Sequence, residues 1–215
     1  MKSISWIFVI VAVMTAWGCS EAGPQSRAVY MLLDTSGTYT EQLDKAQKIV
    51  KFVLANLTPG DSFALARIDS GSFSEKDIVA KVTFDLRPTR ATAEKRAFIE
   101  TVDRFAKTVR GSSHTDITGG MLQAIDYLNE TRAGKKYILV FSDLEEDVRA
   151  GQIRDFPITF GGINVIALNV TKLSSDNIDP REYMRRVDAW ALRVEEGAGT
   201  WRVMNDLDQL GTLLD

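Results

Sequence analysis

The sequence predicts an α/β protein with a doubly wound, mostly parallel sheet and helices on both faces. Three observations predict this class. Short apolar runs typical of buried strands alternate with amphipathic segments of helical period. Two of the predicted strands end in aspartates, Asp34 and Asp143. The chain of 215 residues is 45% hydrophobic and 26% charged, which suits a soluble domain with a full core.

The first half of the domain contains three predicted strands and two helices. AVYMLL (28–33) is a continuous apolar run, as expected of a strand buried on both faces. Residues 41–57 carry one apolar helical stripe and end before Pro59-Gly60. DSFALARI (61–68) and DIVAKVTFDL (77–86) flank a polar loop and predict a hairpin. A second amphipathic helix is predicted from about Thr92 to Val109.

The second half repeats the alternation. A helix is predicted over about 119–129, followed by the apolar strands KKYILVFSD (135–143) and INVIALNV (163–170). A helix over about 180–196, a short strand TWRVM (200–204) and a final helix over 207–214 complete the pattern. Ligands of such sheets bind beyond the carboxyl ends of the strands. Asp34 and Asp143 are therefore expected to face one crevice.

The N-terminus resembles a bacterial lipoprotein signal. Its apolar run is too short to span a bilayer comfortably and is typical of a secretory signal. Cys19 is the only cysteine, which excludes a disulfide within the chain, and it follows Gly18 as in a lipobox, where the sulfur is lipidated. We expect a signal peptide over 1–19, a tether over 20–27 and a domain over 28–215.

The same resemblance implies a location in the cell envelope, with a lipid anchor at Cys19. Ser20 follows the cysteine where an aspartate would signal inner-membrane retention, which implies the periplasmic side of the outer membrane in a Gram-negative cell. The net charge of -3, with acids and bases interspersed, gives no case for nucleic acid binding.

The stretch LLDTSGT (32–38) admits several chemistries. Ser36 interrupts the Asp-Thr-Gly of aspartic proteases, and a helix follows where those enzymes have strands. P-type ATPases need membrane helices and large domains that this pattern does not show. Asp34 could be the nucleophile of a haloacid-dehalogenase-type phosphatase. The second acid of that motif is replaced by Ser36, whose hydroxyl cannot act as the leaving-group acid near neutral pH.

A metal site accounts for more residues. Asp34, Ser36 and Thr38 form Asp-x-Ser-x-Thr, and alternate residues of a loop leaving a strand can direct three oxygens the same way. Thr115 in GSSHTDITGG (111–120) precedes a helix, and Asp143 ends a strand. Two carboxylates with three hydroxyls make an oxygen-only site, suited to Mg²⁺ or Mn²⁺ rather than zinc.

These motifs, in this order, resemble a von Willebrand factor A domain with a metal-ion-dependent adhesion site, from about Arg27 to Asp215. The Thr38 position departs from the family's Asp-x-Ser-x-Ser but keeps the oxygen donor. The resemblance implies hydroxyl ligands at Ser36, Thr38 and Thr115, and carboxylates at Asp34 and Asp143 that bind directly or through water. It also implies a non-enzymatic module whose metal binds a Glu or Asp of a protein partner.

Two alternatives stay open: a metal-dependent phosphatase using Asp34, and a metal-free A-domain scaffold. Other polar residues near the motifs are expected to have ordinary roles. Asp116 is predicted to cap the following helix and His114 to be a loop residue, while acids 145–147 are expected to be solvated. Trp190 and Trp201 are expected in the core.

Overall fold

The computed structural model describes residues 26–36, 42–151, 153–171, 173 and 179–214. The predicted signal peptide with Cys19, most of the tether and Thr38 lie outside these residues. No helix in the described part is long and apolar enough to cross a membrane.

In the described residues, six strands form one sheet in the order β3-β2-β1-β4-β5-β6. All neighbours pair in parallel except β2 and β3, which form the predicted antiparallel hairpin. The predicted mostly parallel sheet is therefore confirmed. The strands are β1 (Arg27–Asp34), β2 (Ser62–Ile68), β3 (Ile78–Thr83), β4 (Lys135–Phe141), β5 (Asn164–Leu168) and β6 (Thr200–Met204).

The helices are α1 (Leu43–Asn56), α2 (Pro88–Thr108), α3 (Ile117–Glu130) and α4 (Pro180–Glu196). Helix α2 begins at Pro88 rather than near Thr92, because proline has a backbone angle suited to the first helical turn and lacks only an N–H that would be unpaired there. The last predicted helix is a 3₁₀ helix, Leu207–Thr212, and another short 3₁₀ helix covers Glu75–Asp77.

Two hydrophobic layers cover the sheet, one on each face. Helices α1 and α2 pack on the face that carries Val29 and Met31, whereas α3 and α4 pack on the face that carries Tyr30 and Leu32. This explains why β1 is apolar at successive positions rather than at alternate ones. Trp190 is buried as predicted, but Trp201 is only half-buried, because it lies on the edge strand β6.

The parallel pairing of β1 and β4 places their carboxyl ends at the same edge of the sheet, with Leu33 opposite Phe141. Helix α3 starts at this edge and packs closely on β1. A Cβ atom at Gly120 would lie 3.0 Å from Cδ2 of Leu32. The glycine therefore permits the close approach that carries the start of α3 to the ends of both strands.

Candidate metal site

Asp34 ends β1 and is fully buried. Its Oδ1 accepts a hydrogen bond from the Ser36 amide at 2.8 Å, and its Oδ2 accepts one from the Ser142 hydroxyl at 2.7 Å. Each carboxylate oxygen can accept more than one hydrogen bond or metal contact. The two contacts therefore orient the carboxylate and leave it capacity to bind an ion.

Asp143 follows β4 and is 5% exposed. Its Oδ1 accepts a hydrogen bond from the Glu145 amide at 2.9 Å. The next residue, Leu144, has a φ of 67°, which is uncommon for a residue other than glycine. Its amide donates to the Ser142 hydroxyl at 3.0 Å, and its carbonyl accepts from Trp190 Nε1 at 3.1 Å. These two contacts hold the turn that directs Asp143.

Burial makes both carboxylates harder to ionise. Burial raises the pKa of Asp34 above its ordinary value, against the hydrogen bonds from Ser36 and Ser142. Burial and then the charge of Asp34 raise the pKa of Asp143 to about 6, against the Glu145 amide and Arg186. Neither carboxylate forms an ion pair with a lysine or arginine in the described ranges. Ionising these two buried carboxylates therefore costs free energy when no cation is bound.

The remaining described candidates lie on two loops at the same edge. Ser36 forms an isolated parallel bridge with Ser112, where the Ser112 amide donates to the Thr35 carbonyl at 2.9 Å. Thr115 is 6% exposed and exchanges backbone hydrogen bonds of 2.7 and 3.0 Å with Asp147. The loop after β1 is thereby joined to the loop before α3, and that loop to the one after β4.

The fold thus brings Asp34, Ser36, Thr115 and Asp143 to one edge, while Thr38 lies outside the described residues. Carboxylate and hydroxyl oxygens are the donors that Mg²⁺ and Mn²⁺ prefer, so the residues present fit such an ion. In the described part of the chain, no group of three or more His, Cys, Asp or Glu side chains is placed to hold a metal. The candidate site differs from such a group because it combines only two acids with hydroxyls.

Asp116 caps α3, as predicted, and also has a role that the sequence did not indicate. Its Oδ1 accepts from the Gly119 amide at 2.8 Å, and its two oxygens accept from Arg154 Nε and Nη2 at 2.7 and 2.6 Å. Burial favours a raised pKa, but the hydrogen bonds from Arg154, Gly119 and Ser72 outweigh it and lower the pKa of Asp116. This carboxylate is already compensated by the protein.

Glu146 corrects the prediction of solvated loop acids at 145–147. Its carboxylate accepts from the Thr118 amide at 2.6 Å and from the Thr118 hydroxyl at 2.9 Å, so it also binds the start of α3. Arg193 of α4 donates to the same hydroxyl at 2.7 Å and lies 3.8 Å from Glu146. Glu145 and Asp147 are exposed, as expected, although Asp147 lies 3.1 Å from Nδ1 of the loop residue His114.

Sequence reasoning missed Ser142 and Arg154. The sequence pattern could have indicated Ser142, since it is a polar residue between a buried strand and a candidate ligand. No such signal indicated Arg154, because it lies 38 residues from Asp116 in a loop without a pattern.

Comparison with known proteins identifies the class. The family model of the von Willebrand factor type A domain matches residues 28–209. The chain belongs to this family. No protein of curated function matches the sequence.

Solved structures similar to this chain include proteins from several bacteria. A von Willebrand factor type A protein from Catenulispora acidiphila is 16% identical, with a TM-score of 0.53 over 89% of this chain and 41% of that one. The pilus adhesin SpaC from Lactobacillus rhamnosus GG is 12% identical, with a TM-score of 0.54 over 90% of this chain and 29% of that one. A mutant of the minor pilin PilB from Streptococcus sanguinis is 13% identical, with a TM-score of 0.54 over 91% and 61%. The chain therefore spans less than two thirds of each of these proteins, and the likeness shows the fold alone.

Proposed function

We propose that this protein is a lipid-anchored, non-enzymatic binding module. In this proposal Asp34, Ser36, Thr38, Thr115 and Asp143 hold Mg²⁺ or Mn²⁺, and the ion binds a Glu or Asp side chain of a protein partner. The observation that carries the proposal is the pair of buried carboxylates, Asp34 and Asp143, which has no ion pair with a described lysine or arginine.

The donor set supports a role in binding an outside carboxylate. Two carboxylates balance the charge of a divalent ion, whereas hydroxyls add none, so the bound ion would still attract an anionic ligand. Ser142 and the Ser36 amide orient Asp34, and the Leu144 turn orients Asp143. These contacts support the proposal, because they orient both carboxylates without an ion.

Metal titration of the full chain in detergent tests the site. We expect calorimetry to show one Mg²⁺ or Mn²⁺ per chain, with binding lost in Asp34→Asn and Asp143→Asn and weakened in Ser36→Ala and Thr115→Ala. Asp147→Asn is the matched control, since it removes an exposed acid from the same edge. Wild type that binds no ion at millimolar metal would favour the metal-free scaffold.

A phosphatase assay separates the enzymatic alternative. We expect no hydrolysis of p-nitrophenyl phosphate with Mg²⁺, because the position of the second acid in the phosphatase motif is Ser36. Turnover that Asp34→Asn abolishes would overturn the non-enzymatic assignment.

A comparison of partner capture with and without chelator tests the mode of binding. Envelope proteins retained with Mg²⁺ should be released by chelator, and Thr115→Ala should weaken their capture more than it weakens folding. A partner retained equally in both conditions would mean that another surface binds it.

Labelling with a fatty-acid analogue tests the anchor. The wild-type chain should be labelled in a bacterial host, and Cys19→Ser should not. Equal labelling of both proteins would refute lipidation at Cys19, without bearing on the metal site.

A further inference from the structure

A groove of about 220 Å³ lies between helix α3 and the β2–β3 hairpin, outside the candidate metal site. Two aromatic residues line it, Phe73 and Tyr127. Phe73 is 56% exposed, and the Tyr127 ring is held against Tyr30 with 5.4 Å between the ring centroids. The Tyr127 wall is therefore fixed by the core, whereas the Phe73 ring on the rim is largely exposed to solvent.

The rim of the groove is acidic. Asp126 and Glu130 are exposed, lie four residues apart on α3 and form no ion pair within the described chain. Like charges at this helical spacing repel each other. Glu75 also lines the groove, but Lys81 already pairs with it at 3.1 Å. The lining thus carries an excess of negative charge that a bound cation would relieve.

A glutamine amide in the groove supplies a hydrogen-bond donor. Gln123 lines the groove and is 8% exposed. Its Oε1 accepts a hydrogen bond from the Tyr30 hydroxyl at 3.0 Å, whereas its Nε2 has no hydrogen-bond partner in the part of the chain that the structure describes. Nε2 is not among the buried side-chain atoms that lack a partner in the described residues, so it is open to solvent and can donate to an acceptor that a ligand supplies.

We propose that this groove binds an arginine side chain of a protein partner. Guanidinium is planar and weakly hydrated, stacks on aromatic rings and donates to carboxylates, which matches the Phe73 and Tyr127 walls and the acids of α3. The peptide carbonyl next to such a side chain would supply the acceptor for Gln123. Arginine binding in this groove does not require the metal site.

The groove lies near the candidate metal site, and this proximity affects how a partner would be oriented. The amide of Ser72, next to Phe73, donates at 3.1 Å to Asp116, which adjoins the candidate ligand Thr115. One end of the groove therefore begins near the candidate metal site. A partner with an acidic and a basic side chain could bind both places, and their opposite charges would determine which way it lies.

Saturation-transfer NMR on the full chain in detergent, with chelator present, tests the groove alone. The probe is N-acetyl-arginine methylamide, and its matched neutral control is the citrulline analogue, which has the same shape. We expect a dissociation constant on the order of millimolar for the arginine compound and about tenfold weaker binding of the citrulline compound. Equal binding of both would overturn the proposal.

Variants locate the binding. The double variant Asp126→Asn, Glu130→Gln should weaken arginine binding about tenfold, and Lys81→Met should strengthen it by removing a competing cation. The matched control is Glu195→Gln, Glu196→Gln, which removes the same charge from exposed positions on α4. Binding that the control variant weakens as much, or that the first double variant leaves unchanged, would contradict an arginine site here. Neither result would bear on the Mg²⁺ titration.

Discussion

Asp116 and the pair of Asp34 and Asp143 are all buried at the same edge of the sheet, but the protein compensates them differently. Arg154 forms two hydrogen bonds with Asp116, and the pKa of Asp116 is lowered. Burial raises the pKa of Asp34, and burial together with the charge of Asp34 raises the pKa of Asp143, in each case against the hydrogen bonds that the carboxylate accepts. Neighbouring carboxylates of one protein thus differ in which charge state the fold favours.

This difference distinguishes a carboxylate with a structural role, Asp116, from two carboxylates that remain able to bind a cation, Asp34 and Asp143. A buried charge is tolerated when it is paired and hydrogen-bonded, and is costly otherwise. The Asp116–Arg154 pair joins the start of α3 to the loop after β4 and needs no ligand. The Asp34 and Asp143 carboxylates lower the stability of the metal-free protein, and an external cation would reverse that effect. Breaking the Asp116–Arg154 pair should therefore lower the free energy of unfolding, whereas neutralising Asp34 or Asp143 should raise it in the metal-free protein.

The largest expected effect comes from Arg154→Met. This change leaves the buried Asp116 carboxylate without its cation, and we expect the free energy of unfolding to fall by about 3 kcal/mol. Urea denaturation at pH 7 measures it. The control is Arg181→Met, which breaks an ion pair whose arginine is 85% exposed and should change stability little. A loss no larger than that of the control would show that Asp116 does not depend on Arg154.

The same pair has a defined pH dependence. Because the folded-state pKa of Asp116 is lower than the ordinary 3.8, its contribution to stability is present above about pH 4 and is lost as the pH falls through the folded-state pKa. The difference between wild type and Arg154→Met should therefore shrink in acid.

The second-largest effect, an increase in stability, is expected from Asp143→Asn with chelator present. The folded-state pKa of Asp143 is about 6, above the ordinary 3.8, so the metal-free fold loses stability as the pH rises between these values. Asparagine avoids this loss and can still accept from Glu145. We expect the variant to be more stable than wild type by about 2 kcal/mol at pH 7.5 and equal to it near pH 4.

Bound Mg²⁺ should reverse the order of stability of wild type and Asp143→Asn. Saturating Mg²⁺ stabilises only a protein that binds it, so wild type should gain stability and Asp143→Asn should not. Urea midpoints with and without the ion measure this. A variant less stable than wild type in chelator would mean that Asp143 is structural, like Asp116.

The smallest effect is expected from Ser142→Ala. The change removes a hydroxyl that donates to Asp34 and accepts from the Leu144 amide, and we expect a loss of about 1 kcal/mol. Combined with Asp34→Asn, it should cost less than it does alone, because one of its partners has changed. Ser113→Ala, at an exposed loop position, is the control and should leave the urea midpoint unchanged. Equal losses for Ser142→Ala in both backgrounds would rule out coupling between Ser142 and Asp34.

The sequence by itself determined the alternation of strands and helices, and with it the edge where the site lies. Apolar runs such as that of β1 are local patterns, and the aspartates at their ends follow from chain order alone. The helix cap at Asp116 was likewise readable, because a cap acts within three residues of its own position. Such features depend on interactions between near neighbours in the chain.

Only the tertiary structure decided which acids are compensated. Arg154 and Asp116 are 38 residues apart, and Ser142 and Asp34 are 108 apart, so no local pattern connects them. The solvated role expected of Glu146 was wrong for the same reason, since Thr118 and Arg193 reach it from two helices. Composition shows how many charges a chain carries, whereas the energy of each depends on burial and on partners that folding brings together.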